Sequence, residues 1–381
     1  MTKSTIYLDY AAATPMDEQV KKVMEPYYSE KFYNPSANYI ASKQLTKEIA
    51  LARAKIAYWL GSKPNEIIFT AGGTEANNLA INGIMSNFPN SNIIISSIEH
   101  ESVVKPAEKY SNKSVNINLN GELDIENIEK LIDDNTVLIS VMYANNEIGL
   151  IQPLIKLSKK IKKIRLERNK KGNKLPLYLH TDACQVPSFL DIHVDGLGVD
   201  LMTLNSGKIY GAKQFGVLYI QRDVKISPQI LGGGQEMGLR SGTESPANII
   251  GFAKALDLVQ ISRHNENVRL TDLQNYFVAE LLKLSPSIAI NGPIKNRLPN
   301  NVNIRIAGYD NETVLMKLDE MGIQCASGSA CNAANDELSM TLLAIGLSEE
   351  EVKSSIRFTF GKYTTKNDLK FVIESMSKII Q

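Results

Sequence analysis

The feature of this chain that most restricts its fold is a regular alternation of apolar runs and helical patterns between about residues 15 and 255. Short runs rich in β-branched residues predict strands at residues 93–95, 137–141 and 216–220. Alternation of this kind favours a mainly parallel sheet between two layers of helices. We therefore expect an α/β fold with a large domain over residues 15–258.

The pattern changes after about residue 260 and predicts a smaller α+β domain. Residues 301–306 predict a strand, and Ser348 and Glu351 have the spacing of a helix capping box. We expect this small domain to comprise residues 1–14 and 259–381.

Composition argues against several classes of protein. The 381 residues are 43% hydrophobic and 22% charged, and their net charge of +1 gives no general attraction to nucleic acid or to anionic membranes. No apolar run is long enough to span a membrane. The three cysteines lack a C-x-x-C spacing and the four histidines are scattered, so we expect neither a disulfide framework nor a metal site. These properties predict a cytoplasmic enzyme that binds neither membrane nor nucleic acid directly.

One basic segment, residues 156–174, needs a separate explanation. Apolar residues recur in and beside it at intervals of three and four, which is typical of one helix face. These residues are Leu154, Leu157, Ile161 and Ile164. The basic side chains are therefore predicted to form the solvated face of that helix, with partner binding as the alternative.

Two predicted strands end close to residues that one cofactor needs. Residues 177–180 predict a buried strand that leads to Asp182, and residues 200–204 predict another that leads to Lys208. In open parallel sheets, ligands bind at the carboxyl ends of the strands. Pyridoxal phosphate takes a lysine amine as a Schiff base and an acid opposite its ring nitrogen. The pair predicts a pyridoxal phosphate site, although a solvated loop residue is the alternative for each one alone.

A glycine turn could hold the phosphate. Gly72, Gly73 and Thr74 follow a strand-like run at residues 66–70 and precede a helical pattern that begins at Glu75. Free backbone N–H groups and the helix dipole favour an anion there, and Thr74 adds a hydroxyl. The nucleotide fingerprints G-x-G-x-x-G and G-x-x-x-x-G-K-[ST] are absent from the sequence. A tight connection without a ligand is the alternative.

Residues 326–334 are almost all small, which predicts an exposed loop at about residues 324–336. Cys331 in this loop would be accessible as a nucleophilic thiol, unless it is a surface cysteine without a role. Cys184 and Cys325 lie in or beside predicted buried strands, so we expect both thiols to be structural.

An ordered set of motifs resembles one protein family. The motifs are YLDYAAATP at residues 7–15, NPS at 34–36, GTEANN at 73–78, EH at 99–100, NNEIG at 145–149, RSGTE at 240–244, GSAC at 328–331 and SIRF at 355–358. They resemble the cysteine desulfurases of the NifS/IscS type, which belong to class V of the fold-type-I pyridoxal phosphate enzymes. The matches cover essentially the whole chain. The resemblance implies a homodimer and a cofactor-binding large domain with a seven-stranded, mainly parallel sheet.

The resemblance also implies how L-cysteine would be converted to L-alanine. Lys208 would hold pyridoxal 5'-phosphate and then act as the base at the substrate Cα, while Asp182 supports the ring nitrogen. Arg357 and Asn146 would bind the substrate, with the planar guanidinium on its carboxylate. Cys331 would take the sulfur as a persulfide, for delivery to a sulfur-acceptor protein.

Other positions would contact the cofactor if the resemblance holds. His100 would stack on the ring and move protons near the reacting sulfur. Asn146 and Gln185 would contact the ring hydroxyl. The phosphate would be held by Gly73, Thr74, Asn205 and, from the second subunit of a homodimer, Thr243.

The chain departs from the family pattern just before the lysine. The family commonly has Ser-x-His-Lys, whereas this chain has Asn205, Ser206 and Gly207 before Lys208. Because a hydrogen bond to a charged group contributes about 1.5–3 kcal/mol, we predict weaker cofactor affinity than in a Gly207→His variant. A family histidine that follows the NPS motif is also missing, and Tyr39 stands at the equivalent place.

Three alternatives remain at this point. A selenocysteine lyase would share the cofactor chemistry, whereas another class V enzyme such as an aminotransferase would have no use for Cys331. A non-catalytic scaffold for sulfur-handling partners would need neither Lys208 nor Asp182. The sulfur acceptor could be an iron–sulfur cluster scaffold, a tRNA-thiolating enzyme or a small sulfur carrier.

Overall fold

The computed structural model describes residues 5–118, 121–328 and 338–380. Its strands are β1 (Ile6–Tyr7), β2 (Ile67–Thr70), β3 (Asn92–Ser96), β4 (Ser111–Val115), β5 (Thr136–Ser140), β6 (Tyr178–Asp182), β7 (Leu201–Asn205), β8 (Gly216–Ile220), β9 (Ile288–Ile290), β10 (Asn301–Ile306), β11 (Ile323–Gln324) and β12 (Ser355–Thr359). Its helices are α1 (Glu18–Met24), α2 (Pro26–Ser29), α3 (Ile40–Leu60), α4 (Gly73–Met85), α5 (Glu101–Ala107), α6 (Ile125–Leu131), α7 (Leu154–Lys170), α8 (Val194–Leu197), α9 (Pro246–Leu284), α10 (Asn311–Glu320), α11 (Met340–Ala344), α12 (Glu349–Lys353) and α13 (Lys366–Ile379).

Seven strands form the central sheet, in the order β2-β8-β7-β6-β5-β3-β4. Strand β8 is antiparallel to both of its neighbours, and the remaining neighbours pair in parallel. Along β2, Ile67 and Phe69 join one apolar core while Ile68 joins the other. This alternation places a core on each face of the sheet, because successive side chains of a strand point to opposite faces. The predicted mainly parallel, seven-stranded sheet is confirmed.

The carboxyl ends of the parallel strands meet at one edge of this sheet. Strands β6 and β7 pair with His180 opposite Leu201 and Asp182 opposite Thr203. Asp182 therefore ends β6 close to the point where β7 ends, and a 3₁₀ turn at Ser206–Lys208 follows β7 directly. The register therefore brings Asp182 and Lys208, the two residues predicted to bind the cofactor, to the same edge of the sheet.

Helix α7 explains the basic segment. Leu154, Leu157 and Ile161 are buried against the sheet, whereas residues such as Lys156 and Lys163 are exposed. The prediction of a solvated basic face is confirmed for these lysines, but it is wrong for Arg168, which is buried and donates to the Thr136 and Asp134 backbone carbonyls over 2.9 and 2.7 Å.

The C-terminal part contains a second sheet, in the antiparallel order β12-β10-β9. Strand β1 pairs in parallel with β11, so the N-terminal segment lies beside this part of the chain. The capping box is present at the start of α12, where the Glu351 backbone N–H donates to the Ser348 hydroxyl over 3.3 Å. The division into domains at residues 14 and 258 stays a prediction.

Helix α9, with 39 residues, connects the two sheets and packs against α1 and α3. In the part of the chain that the structure describes, no helix has both the length and the apolar character needed to cross a bilayer.

Candidate active site

A cavity of about 240 Å³ lies at the carboxyl edge of the central sheet. It is lined by Ala11, Ala12, Gly73, Thr74, His100, Ser102, Met142, Ala144, Asn146, Asp182, Cys184, Gln185, Asn205, Lys208 and Arg357. The structure thus brings together all the site residues proposed from the sequence except Cys331 and Thr243.

Asp182 is buried at the end of β6, and both of its carboxylate oxygens accept hydrogen bonds. The Cys184 backbone N–H donates to Oδ1 over 2.9 Å, and the Asn77 amide donates to Oδ2 over 2.7 Å. His180, two residues earlier, is fully buried, and this burial lowers its pKa to about 4. Its imidazole is therefore neutral near pH 7, and among the described residues no cationic side chain hydrogen-bonds the Asp182 carboxylate.

Lys208 reaches the cavity from the 3₁₀ turn after β7. Its Nζ donates to the backbone carbonyls of Ala11 and Ala12 over 2.7 and 2.6 Å. Burial lowers the pKa of Lys208 because an ammonium group is poorly solvated there. A larger fraction of the amine is thus neutral and nucleophilic than in an exposed lysine.

The glycine turn forms a cradle at the start of α4. Gly72 has a φ of 144°, which a residue with a side chain rarely adopts, and α4 begins at Gly73. A Cβ on Gly73 would lie 2.9 Å from the Cys184 Sγ and 3.4 Å from the Asn205 Nδ2. Glycine therefore permits the close approach of Cys184 and Asn205 to the first turn of α4. The first backbone N–H groups of that helix have no intrahelical partner and can bind an anion.

The turn before Lys208 is organised by Asn205. Its Oδ1 accepts a hydrogen bond from the Gly207 N–H over 3.0 Å. The amide nitrogen of Asn205 faces Gly73 and can donate to an anion there. A Cβ on Gly207 would meet the Lys213 Cδ at 3.4 Å, so a side chain fits after a small adjustment of the lysine stem.

His100 caps the N-terminus of α5 with its ring. The Nδ1 atom accepts a hydrogen bond from the Ser102 backbone N–H over 3.0 Å, and the Ser102 hydroxyl lies 2.8 Å from the same atom. Because a backbone N–H can only donate, the proton of the neutral ring is on Nε2. His100 can thus donate from Nε2 inside the cavity.

Arg357, on β12, is almost completely buried, with 1% of its surface exposed. Its Nη2 donates to the Asp9 carboxylate over 2.6 Å, and its Nη1 donates to the Asn146 backbone carbonyl over 3.1 Å. The Nε atom is buried and has no hydrogen-bond partner among the described residues. Because Nη1 and Nη2 each carry two N–H groups, the guanidinium keeps donor capacity for a carboxylate ligand in the cavity that it lines.

Two further carboxyl groups are buried beside His100. Burial raises the pKa of Glu99 to about 8, although the Met142 N–H donates to its Oε1 over 2.7 Å. Its Oε2 has no hydrogen-bond partner among the described residues. Burial also raises the pKa of Glu147, which accepts a hydrogen bond from the Ser339 hydroxyl. Glu99 is thus mostly protonated near pH 7.

Several predicted residues lie outside this cavity. Thr243 is exposed and lines a separate cavity of about 90 Å³. Tyr39 is 52% exposed at the N-cap of α3. Cys331 lies outside the described residues.

The other two cysteines of the chain are Cys184 and Cys325. Burial raises the pKa of both Cys184 and Cys325, so both thiols are protonated and unreactive at neutral pH. Cys184 nevertheless lines the cavity, a position that sequence reasoning did not foresee.

Three more contributors to the site were missed in the sequence. Asn77 and Ser102 carry hydrogen bonds between Asp182 and His100, and Asp9 pairs with Arg357. Asn77 and Asp9 both lie inside motifs already noted, and Ser102 follows a third by two residues. Proximity to those motifs was the available signal, but it carried no information on the partner of each side chain.

Gln185 and Asn146 have free capacity in the cavity. The Gln185 Nε2 donates to the Ala11 carbonyl over 3.0 Å, which leaves its Oε1 available. Asn146 uses its backbone carbonyl for Arg357. Either side chain can hydrogen-bond a polar ligand.

The arrangement fits pyridoxal phosphate. One cavity holds a carboxylate satisfied only by neutral donors, an amine with a lowered pKa and an anion cradle at a helix start. These are the three groups that a pyridine nitrogen, an aldehyde and a phosphate require. Among the described residues, no cluster of three or more histidine, cysteine, aspartate or glutamate side chains could hold a metal ion.

Comparisons with known proteins identify the family of the chain. The family model described as Aminotransferase class-V matches residues 6–372. A cysteine desulfurase IscS of Dictyoglomus turgidum is 41% identical over 386 residues, which cover 100% of this chain and 95% of that relative.

Solved structures of similar proteins have the same fold. A NifS-like protein superposes with a TM-score of 0.90 at 28% identity, and the match covers 98% of this chain and 99% of the other. A structure of SspA in complex with cysteine superposes with a TM-score of 0.80 at 31% identity and covers 95% of this chain and 100% of the other. These similarities confirm the resemblance that the ordered motifs indicated.

Proposed function

The chain belongs to the class-V aminotransferase family, and from that premise we propose that it is a pyridoxal-phosphate-dependent cysteine desulfurase. It would convert L-cysteine to L-alanine and transfer the sulfur to Cys331 as a persulfide. The observation that carries this proposal is the convergence of Asp182, Lys208, His100 and Arg357 on one cavity.

The cofactor end of the cavity would be held by residues of the central sheet and α4. Bound there, pyridoxal phosphate supplies a ring that accepts electrons from the substrate. Asp182 would keep the ring nitrogen protonated, since its charge is not cancelled by a cation. The phosphate would lie at the N-terminus of α4, against Gly73, Thr74 and the Asn205 amide.

Lys208 would first hold the cofactor and then remove the proton from the substrate Cα. Its lowered pKa supports both roles, because each needs the neutral amine at Nζ. The carbonyls of Ala11 and Ala12 would accept from Nζ when it is released. The lysine thus has a defined resting position.

The substrate carboxylate would bind the guanidinium of Arg357. Its place in the cavity lining and the second N–H of Nη1 and of Nη2 support this assignment, and a carboxylate matches the planar fork of the side chain. Asn146, which touches both Arg357 and the cavity, would contribute a second polar contact to the substrate or to the ring hydroxyl. Gln185 would share the ring hydroxyl.

Sulfur would leave the substrate by attack of the Cys331 thiolate on the substrate sulfur. The S–S bond forms as the Cβ–S bond breaks, and the electron pair of that bond remains with the substrate carbon skeleton. Protonation at Cβ then gives the methyl group of alanine. His100, which donates from Nε2, could stack on the ring and supply a proton near this sulfur.

Three finer points belong to the same proposal. The protein would act as a homodimer, in which Thr243 of the partner subunit reaches the phosphate. The exposed position of Thr243 in the single chain is compatible with this role. The persulfide would be passed to an acceptor protein in the cytoplasm, either an iron–sulfur cluster scaffold or a thiolation enzyme.

The direct test is a measurement of sulfide and alanine released from L-cysteine, with pyridoxal phosphate and a thiol reductant. We expect equimolar products from the parent protein and none from Cys331→Ala. The matched control is Cys325→Ala, which removes a thiol six residues earlier in the sequence and should retain activity. Alanine formation that persists in Cys331→Ala would indicate another class V reaction instead.

A further inference from the structure

Asn77 lies between Asp182 and His100, two side chains that line the cavity. It lies in the second turn of α4 and is completely buried. Its Nδ2 donates one hydrogen to Asp182 Oδ2 over 2.7 Å and the other to Ser102 Oγ over 2.8 Å. The orientation of the amide is fixed, because a carboxylate can only accept. Both donors of Asn77 are therefore used.

Ser102 extends this connection to His100. Its Oγ accepts from Asn77, so its own hydrogen is free to be donated to His100 Nδ1, which lies 2.8 Å away. Three hydrogen bonds thus join the side chains of Asp182, Asn77, Ser102 and His100 in series. These residues come from the end of β6, from α4 and from the start of α5.

The buried oxygen of Asn77 argues against a role in stability alone. Asn77 Oδ1 has no hydrogen-bond partner among the described residues. An unsatisfied buried acceptor is unfavourable, so an apolar residue of similar size would serve better if only packing mattered. The presence of an amide at position 77 is explained by the hydrogen bonds that it donates to Asp182 and Ser102.

We propose that Asn77 is a positioning residue for the cofactor site, which acts through Asp182 directly and through Ser102 on His100. This inference rests on the proposed function, because Asp182 and His100 are assigned there to the ring nitrogen and the ring face. Since α4 also begins at the phosphate cradle, one amide ties the placement of the ring to the placement of the phosphate. Hydrogen-bonded supports of this kind hold binding groups within a narrow geometry.

The test compares two buried asparagines of the same helix. Asn77→Leu removes both donors to the site, whereas Asn82→Leu removes hydrogen bonds to Asn78 and Tyr110 that do not involve the cavity. Two properties are measured for each: the dissociation constant of pyridoxal phosphate for the cofactor-free protein, and the visible absorbance maximum of the loaded protein. Neither measurement requires L-cysteine.

We expect Asn77→Leu to weaken cofactor binding about tenfold or more, as loss of a hydrogen bond to a charged group does, and to move the absorbance maximum. Asn82→Leu should lower the melting temperature without changing either property. Equal behaviour of the two variants in both measurements would overturn the proposal.

A milder pair of variants keeps the proposal testable if Asn77→Leu does not fold. Ser102→Ala deletes one hydroxyl and with it the hydrogen bonds to Asn77 and to His100, but keeps the bond from Asn77 to Asp182. It should therefore move the absorbance maximum, while Ser102→Thr, which keeps the hydroxyl, restores it. No movement in Ser102→Ala would contradict the extension to His100. A parent protein that does not bind pyridoxal phosphate would overturn the proposed function itself, together with this inference.

Discussion

The two walls of the cavity satisfy their charged groups in different ways. On the cofactor wall, which includes Asp182 and Lys208, the Asp182 carboxylate accepts hydrogen bonds from the neutral Asn77 amide and from the Cys184 backbone N–H. On the substrate wall, which includes Asn146 and Arg357, the Arg357 guanidinium is paired with the Asp9 carboxylate at 2.6 Å. Among the described residues, Asp182 has no ion-pair partner within 4 Å, whereas Arg357 is paired with Asp9.

This difference matches the two ligands proposed. An anion without a countercharge attracts a protonated ring nitrogen strongly, which suits a cofactor that stays bound. A cation already paired with Asp9 attracts a substrate carboxylate less strongly, which suits a ligand that must be exchanged in every turnover. Variants on the two walls should therefore affect different quantities.

The largest effect is expected for Asp182→Asn on the cofactor wall. A neutral amide cannot hold the ring nitrogen protonated, so kcat for alanine formation should fall by roughly 10²–10³-fold, the scale of losing one preorganised electrostatic group. Cofactor affinity should fall with it. The control is Asp195→Asn, an exposed carboxylate on α8. A change confined to KM for L-cysteine would break the distinction between the walls.

On the substrate wall, Arg357→Lys should raise KM for L-cysteine by about 10- to 100-fold, because the ammonium keeps the charge but loses the two-donor fork. The dissociation constant of pyridoxal phosphate should stay within about twofold, since the cofactor wall is untouched. Arg305→Lys on the adjacent strand β10 is the matched control. Loss of cofactor in Arg357→Lys would show that the walls are not independent.

Gly207→His adds a donor to the cofactor wall at the position where the chain departs from its family. One new hydrogen bond to the phosphate should tighten cofactor binding about tenfold. Gly207→Ala tests the added bulk without the donor, and the 3.4 Å distance to Lys213 Cδ indicates that it fits. Equal or weaker binding in a cofactor titration of Gly207→His would refute the prediction.

The smallest effect on activity is expected for Glu99→Gln. This variant compares Glu99, a buried carboxyl that is mostly protonated, with the charged carboxylate of Asp182. The folded-state pKa of about 8 lies above the ordinary value of 4.5, so the folded protein retains a proton that the unfolded chain releases between those values. The free energy of unfolding of the parent should therefore fall as pH rises from 4.5 to about 8 and then level off. The amide that replaces the carboxyl in Glu99→Gln does not titrate, so it contributes no pH dependence to the free energy of unfolding.

The measurement for Glu99→Gln is the melting temperature of both proteins from pH 4.5 to 9, with alanine formation at pH 7. The advantage of the variant should grow with pH and become constant above about pH 8. A difference that does not depend on pH would mean that Glu99 is ionised in the folded protein at all these values.

Much of the fold and part of the site followed from local patterns. The strands over Gly216–Ile220 and Asn301–Ile306 were predicted with their exact bounds, and the strand at Ile67–Thr70 to within one residue. Apolar periodicity reports such elements directly, because it depends only on neighbours in the sequence. The helix after the glycine turn begins at Gly73, two residues earlier than predicted. Glycine has a low helix propensity, so Gly73 did not indicate a helix start in the sequence.

The sequence by itself determined the alternation of strands and helices, the ordered motifs of the family and the placement of an acid and an amine at strand ends. Only the tertiary structure decided that β8 runs antiparallel, that Arg357 pairs with Asp9 at a separation of 348 residues, and that Asn77 links Asp182 to His100. The physical reason is that hydrogen-bond and ion partners are chosen by distance in space. Local sequence encodes which groups are available, and packing selects which of them meet.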